Sequence, residues 1–250
     1  MSKPPRFFID ADRVRDPSIS VMGDDVRHIR TVLRKGPGDL LTLLDGQGRE
    51  YTVRITMMEG SKIDTEIIER KDRAIASPAV ILGQGLPKSD KMDWIVQKAT
   101  ELGVSSIVPL VTERTIVKIK DEEKRVARWQ KICREAAMQS DRPDIPKVDV
   151  VRPFGEFVRQ LDTGPQTLLL LPWEEGTEPV KEVLRRMPGM EKVVVLIGPE
   201  GGFSKTEADR AKDKGFHLVS LGPNILRTET AAVAVLSMVL YEKPTTSGSR

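Results

Sequence analysis

The chain has 250 residues, 39% hydrophobic and 31% charged, enough to build one large cored domain or two smaller ones and against wholesale disorder. Its net charge of +3, with a pI near 8.9, is mildly basic and does not by itself require nucleic acid. A single cysteine excludes an internal disulfide, two histidines leave too few ligands for a Cys/His zinc site, and no apolar run approaches the roughly 20 residues of a membrane span.

The first residues, MSKPPRFFIDADR, lack the apolar core of a signal peptide, which predicts a cytoplasmic protein. In Asp24–Arg34 the spacing predicts a helix with Val26, Ile29 and Leu33 on one face. Arg27, Arg30 and Arg34 fall on a neighbouring face, with His28 and Lys35 close by. Such a face is either a solvated flank of a core stripe or a set of phosphate contacts. Strand signals follow at Leu40–Leu44, Glu50–Thr56 and Lys62–Ile68, with the turn Asp45-Gly-Gln-Gly48 between the first two. Together they predict a small antiparallel sheet or barrel over residues 1–73. The charged, then small, then proline-bearing run Arg70–Pro78 reads as a linker.

Beyond the linker, apolar runs alternate with amphipathic segments. Strands are predicted at Ala79–Leu82, Ile107–Val111, Thr167–Leu171, Val193–Ile197 and Leu218–Leu221. Helices are predicted at Lys91–Leu102, Glu122–Gln139, Glu178–Met187, Lys205–Lys214 and Glu229–Tyr241. This alternation argues an α/β domain with a mainly parallel sheet over residues 74–243, followed by a disordered tail at 244–250. Cys133 shares helical spacing with Val126, Trp129 and Ala136, which reads as a small buried apolar group.

Three strand exits stand out: Pro172-Trp-Glu-Glu-Gly176, Gly198-Pro-Glu-Gly-Gly-Phe203 and Gly222-Pro-Asn-Ile-Leu-Arg-Thr-Glu-Thr230. In open α/β sheets, ligands bind beyond the carboxyl ends of strands. Ile225 and Leu226 are poor loop residues unless something covers them. Ser204-Lys-Thr-Glu207 fits a capping box, with no further role expected of either residue. Gly83-Gln-Gly85 after a strand resembles part of a dinucleotide fingerprint, but Lys88 stands where the third glycine belongs and no acid closes a second strand. A nicotinamide-dependent enzyme would have to rest on that broken motif.

LIGPEGGFSKTE at Leu196–Glu207 and LGPNILRTETAAVAVL at Leu221–Leu236 closely resemble the paired C-terminal motifs of the bacterial SPOUT-class methyltransferases that act on N3 of a uridine in small-subunit (16S) ribosomal RNA. HIRTVLRKGPGD at His28–Asp39, KMDWIVQKATELGV at Lys91–Val104 and CREAAMQSDRPDIPKV at Cys133–Val148 are similar to family landmarks, in family order. The resemblance implies an N-terminal PUA-like β-barrel that holds RNA, a C-terminal α/β domain with a trefoil knot, and a homodimer. It also implies S-adenosylmethionine as cofactor and small-subunit ribosomal RNA, free or assembled, as partner. No membrane and no metal enter.

Carried over residue by residue, the resemblance places the cofactor against Leu171, Pro172, Leu196, Ile197, Gly198, Pro199, Glu200, Gly201, Gly202, Leu221, Gly222, Ile225, Leu226, Arg227 and Thr230. Arg227 is the expected cation for a developing uridinate, with Glu200 or Glu229 as base. Expected RNA contacts are Arg6, Arg27, His28, Arg30, Arg34, Lys88, Lys91, Arg114, Arg134 and Arg142. The rival reading is a non-catalytic RNA-binding or ribosome-assembly factor. Intact glycines and an intact Arg227-Thr-Glu-Thr230 count against it.

Overall fold

The computed structural model describes residues 4–75, 77–117, 121–186 and 189–242. The tail expected at 244–250 lies outside them. The chain divides into two compact units, one holding residues 4–75 and 137–145 and the other the remainder of the described chain.

The first unit is a six-stranded sheet. Its strands are β1 (Arg6–Phe8), β2 (Val14–Arg15), β3 (Ser18–Met22), β4 (Leu40–Leu44), β5 (Arg49–Glu59) and β6 (Lys62–Asp72), in the order β1-β4-β5-β6-β3-β2. The β4–β5 hairpin sets the register: Leu41 faces Val53 and Leu43 faces Tyr51 across the ladder. Asp45 shapes the turn by accepting from the amides of Gln47 at 2.8 Å and Arg49 at 3.0 Å. Period-two alternation sends Leu41, Leu43, Val53, Ile55 and Ile63 into one core with Ile19, Val21 and Phe7. Val26 and Ile29 close that core from α1 (Asp24–Arg27) and the π-helical turn His28–Val32. The helical stretch therefore ends earlier than its spacing predicts. Arg34 lies past the helix with φ 52°, so it does not share a face with Arg27 and Arg30.

The second unit is an eight-stranded, wholly parallel sheet. Its strands are β7 (Ala79–Gly85), β8 (Ser106–Val111), β9 (Lys147–Val148), β10 (Arg152–Pro153), β11 (Thr167–Pro172), β12 (Glu178–Pro179), β13 (Lys192–Ile197) and β14 (His217–Ser220). The order is β10-β8-β7-β13-β11-β14-β12, with β9 beside β8. Helices α2 (Lys91–Glu101), α3 (Glu122–Gln139), α4 (Phe154–Gln160), α5 (Val180–Arg186), α6 (Lys205–Asp213) and α7 (Thr228–Glu242) accompany it. β11 and β13 are continuous apolar runs because a parallel sheet covered on both faces buries every side chain. Leu196, Leu171, Leu110, Phe154 and Phe203 fill one shared core, with the two phenyl rings 5.1 Å apart and tilted by 44°. Among the described residues, no helix is long and apolar enough to cross a membrane.

Gly83 and Gly85 have a packing explanation. A Cβ on Gly83 would stand 2.5 Å from Leu196 Cδ2, and one on Gly85 would stand 2.6 Å from Pro199 Cδ and 2.7 Å from its nitrogen. The turn after β13 needs Gly85 bare and leucine side chains of the neighbouring strands fill the space beside Gly83, with or without a dinucleotide. The order of strands brings the exits of β11, β13 and β14 side by side, because β13 lies between β7 and β11 and β14 lies beside β11.

Candidate functional site

The three strand exits converge on one cleft of about 500 Å³. Pro172, Trp173 and Glu174 line it from β11, Ile197–Phe203 from β13, and Ser220–Thr228 from β14 and the start of α7, with Lys91 and Ala231 completing the wall. Ile225 is 89% exposed there, an apolar side chain held in the open. Gly222, at φ 132°, has no atom within 4 Å of where a Cβ would sit, so its backbone faces open space. Gly202 takes φ 67°, and a Cβ on Gly198 would meet the Gly202 carbonyl carbon at 2.9 Å, so this turn requires glycines.

One charged cluster dominates the wall. Lys91 Nζ lies 3.1 Å from Glu200 Oε1 and 3.3 Å from Glu229 Oε2. Glu200 also accepts from the Lys88 amide, at 3.0 Å on Oε1 and 3.2 Å on Oε2. Hydrogen bonding to Glu200, opposed by burial and reinforced by Glu229, raises the Lys91 ammonium above the usual lysine range. Burial pushes the Glu200 carboxyl up, but its own backbone amide, Lys91 and the Lys88 amide outweigh that and hold it below the usual carboxylate range. Glu200 is thus ionised and engaged by donors, a poor proton acceptor. Arg227 is exposed beside this cluster, and its guanidinium forms no ion pair among the described residues.

The loops are held from behind. Thr228 Oγ1 donates to the Gly198 carbonyl at 2.6 Å and accepts from Gln84 Nε2 at 3.0 Å. Ser204 and Glu207 form the predicted capping box, at 3.1 and 2.9 Å. Glu207 does more than cap: it is 2% exposed, and its second oxygen accepts from the Glu113 amide at 2.9 Å. That bond fixes the loop from which Arg114 donates to the Gly201 carbonyl at 2.7 Å. The Glu207–Glu113 link spans 94 positions, so no local pattern could have announced it.

Among the residues expected around a cofactor, Pro172, Ile197 to Gly202, Leu221, Gly222 and Ile225 to Arg227 line the cleft together. Leu171 and Leu196 do not. Both are fully buried in the sheet core, one residue before the strand ends Pro172 and Ile197 that reach the cleft. Thr230 is exposed on α7 outside the lining. Lining residues beyond the expected cofactor set include Trp173, Glu174, Phe203, Ser220 and Ala231, and the Trp173 indole N–H is buried without a partner among the described residues; Thr228 lies within the expected stretch Leu221–Thr230.

The basic residues part company. Arg27, His28 and Arg30 are exposed on the first unit, His28 edge-on to Phe7 at 5.8 Å. Arg34, Lys88 and Arg114 are also exposed, and Arg134 is half-buried. Arg142 is 8% exposed and bound to Asp144 at 2.6 Å, a structural pair rather than a surface contact. Arg6 is half-buried and paired with Glu50 and Asp141, and burial lowers its guanidinium despite the attraction of Glu50. Lys91 belongs to the cleft cluster.

Residues 76–240 match the model of the RNA methyltransferase domain, and residues 22–68 match that of the RNA methyltransferase PUA domain. The chain belongs to the RNA methyltransferase family. It is 31% identical over 248 residues to the ribosomal RNA small subunit methyltransferase E of Bacillus subtilis (strain 168), covering 95% of this chain and 96% of that one. With the protein of the same name from Aquifex aeolicus (strain VF5), identity is 35% over 198 residues, 78% of this chain and 82% of that one. Among solved structures, a Neisseria gonorrhoeae ribosomal RNA small subunit methyltransferase E bound to S-adenosyl methionine superposes with a TM-score of 0.83 at 32% identity, covering 95% of this chain and 97% of that one. A putative methyltransferase from Legionella pneumophila, also with bound cofactor, gives 0.82 at 31%, over 96% and 98%. The family is the one the paired strand-exit motifs resemble, and the PUA match falls on the first unit of this methyltransferase.

Proposed function

We propose that this RNA methyltransferase transfers a methyl group from S-adenosylmethionine to N3 of a uridine in small-subunit ribosomal RNA. The observation that carries the reading is the convergence of three strand-exit loops, two of them glycine-bearing at the lining, on one cleft in a methyltransferase domain. The residues present fit such a cofactor. Ile225, Leu226 and Leu221 offer apolar cover for a purine, and the bare backbone at Gly222 admits close approach. Glu174 and Glu200 give the cleft carboxylates that suit a cationic ligand, and Glu229 pairs with Lys91 on its wall.

S-adenosylmethionine would supply an electrophilic methyl: the N3 lone pair forms the new N–C bond while the C–S electron pair stays on sulfur. Positioning then carries most of the rate. Arg227 is assigned to stabilise the uridinate that N3 becomes as its proton leaves. Glu229 is assigned as the acceptor of that proton, since Lys91 pairs with both carboxylates but Glu200 is held in addition by the Lys88 amide. Arg27, His28, Arg30 and Arg34 on the PUA unit, and Lys88, Arg114 and Arg134 on the second, are assigned to RNA.

We further propose domain limits of 1–73 and 74–243, a homodimer, a knotted chain end and a cytoplasmic site of action. Trp94, Ile116 and Tyr241 are among the large apolar side chains exposed on the second unit and are available for self-association. The test of function incubates the protein with methyl-labelled S-adenosylmethionine and small ribosomal subunits lacking their native uridine methylation, then resolves nucleosides by mass spectrometry. The expected product is labelled 3-methyluridine. Label in another nucleoside would overturn the N3 assignment, and no label with proven cofactor binding would overturn the substrate.

A further inference from the structure

The broken fingerprint Gly83-Gln84-Gly85 leaves one residue unaccounted for. Packing explains both glycines, but not the glutamine between them. Gln84 is 0% exposed and does not line the cleft. Its Nε2 donates to the Gly85 carbonyl at 2.9 Å and to Thr228 Oγ1 at 3.0 Å, while its Oε1 is buried with no partner among the described residues. Turning the amide over would press oxygen against the Gly85 carbonyl, so the neighbours dictate this orientation. An orphaned buried acceptor is costly, and an apolar side chain of the same shape would avoid it. The chain tolerates that cost at a position touching the start of α7.

The hydrogen-bond arithmetic explains what the amide accomplishes. A threonine hydroxyl has one proton to give. Because Gln84 donates to Thr228 Oγ1, that proton is committed to the Gly198 carbonyl at 2.6 Å. Gly198 and Thr228 both line the cleft, one at the exit of β13 and the other at the first turn of α7, next to Arg227. We infer that Gln84 is a positioning residue of the methyltransferase site: it sets the rotor of the Thr228 hydroxyl and so locks the Gly198 peptide to the start of α7. Without it the hydroxyl is free to turn, and the bond that joins the two loops is no longer enforced. The inference rests on the cofactor reading above.

The experiment measures S-adenosylmethionine affinity by calorimetry for the full chain and for Gln84→Met, Thr228→Val, Thr228→Ser and the Gln84→Met/Thr228→Val double variant, with thermal unfolding of each without cofactor. Gln84→Met is expected to weaken binding about tenfold, the loss of roughly one hydrogen bond's worth of pre-organisation, with little change in melting. Thr228→Val should weaken it at least as much, and Thr228→Ser should restore it. The double variant should be no worse than the weaker single one, since both break one relay. Wild-type affinity in Gln84→Met, or losses that multiply in the double variant, would overturn the inference. Should Gln84→Met not fold, equal binding by Thr228→Val and Thr228→Ser would overturn it instead. No binding by the wild-type chain would overturn the cofactor reading itself.

Discussion

Gly85→Ala tests how the floor of the cleft is built. The added methyl would stand 2.6 Å from Pro199 Cδ, 2.7 Å from Pro199 N and 3.0 Å from the Gly198 carbonyl carbon. Ordinary carbon contacts are at about 3.5 Å or more, so the overlap approaches an ångström. No side-chain rotation relieves it, because a proline ring and two backbone atoms are what it meets. The loop leaving β13 must move, and overpacking of this kind costs typically 1–3 kcal/mol. Replacing a strand glycine returns about 0.5–1 kcal/mol. The net loss of up to about 2.5 kcal/mol lowers the melting temperature by up to about 10 °C at this chain length. Because Gly198 and Pro199 line the cleft, S-adenosylmethionine affinity should fall about tenfold or more alongside it. Calorimetry and thermal unfolding read both. Gly155→Ala is the control, since its nearest non-bonded atom would be Arg210 Nη1 at 3.6 Å. Wild-type melting and affinity in Gly85→Ala would refute the packing argument.

Arg227→Ala should cut turnover by at least a hundredfold, about 2.7 kcal/mol of transition-state stabilisation, while S-adenosylmethionine affinity stays within a few-fold; near-normal turnover removes Arg227 from the chemistry. Glu207→Gln leaves one of two part-buried amides, that of Ser204 or of Glu113, without an acceptor, so urea unfolding should show a loss of about 1 kcal/mol. Folding lowers the Glu200 carboxyl, so its stabilisation is present above the unfolded value of about 4.3 and is lost as pH falls through the lower folded one. Glu200→Gln should therefore flatten the acid limb of a stability–pH curve, and an unchanged limb would contradict the assignment. Replacing Arg27 and Arg30 by Ala should reduce the slope of log affinity against log salt by about 0.7–0.9 per lost phosphate contact, measured on small-subunit RNA.

The α/β half was legible because its helices carry a sustained 3.6-residue period. The predicted helix Glu122–Gln139 coincides with α3, and the five predicted strands all recur within a few residues of their limits. Short elements were not: β1 and β2 are too brief for periodicity, and α4 buries Phe154, Phe157 and Val158 within seven residues. At the site, glycine and proline punctuation marked the loops, so most of the lining was readable. Leu171 and Leu196 pack in the sheet core and do not line the cleft, a difference that apolar character cannot signal in strands buried on both faces. Lys91 was read as an RNA contact from its charge within a family landmark, but its partners Glu200 and Glu229 lie more than a hundred positions away. Charge identifies candidates, and only the fold pairs them.

The exits of β11, β13 and β14 are together assigned to hold S-adenosylmethionine. Amide hydrogen exchange with and without that cofactor tests the assignment most directly. The account predicts added protection in residues 172–174, 197–203 and 220–228 together, with little change in the first unit. Protection confined to residues 83–88, or none in the three strand exits under saturating cofactor, would contradict it.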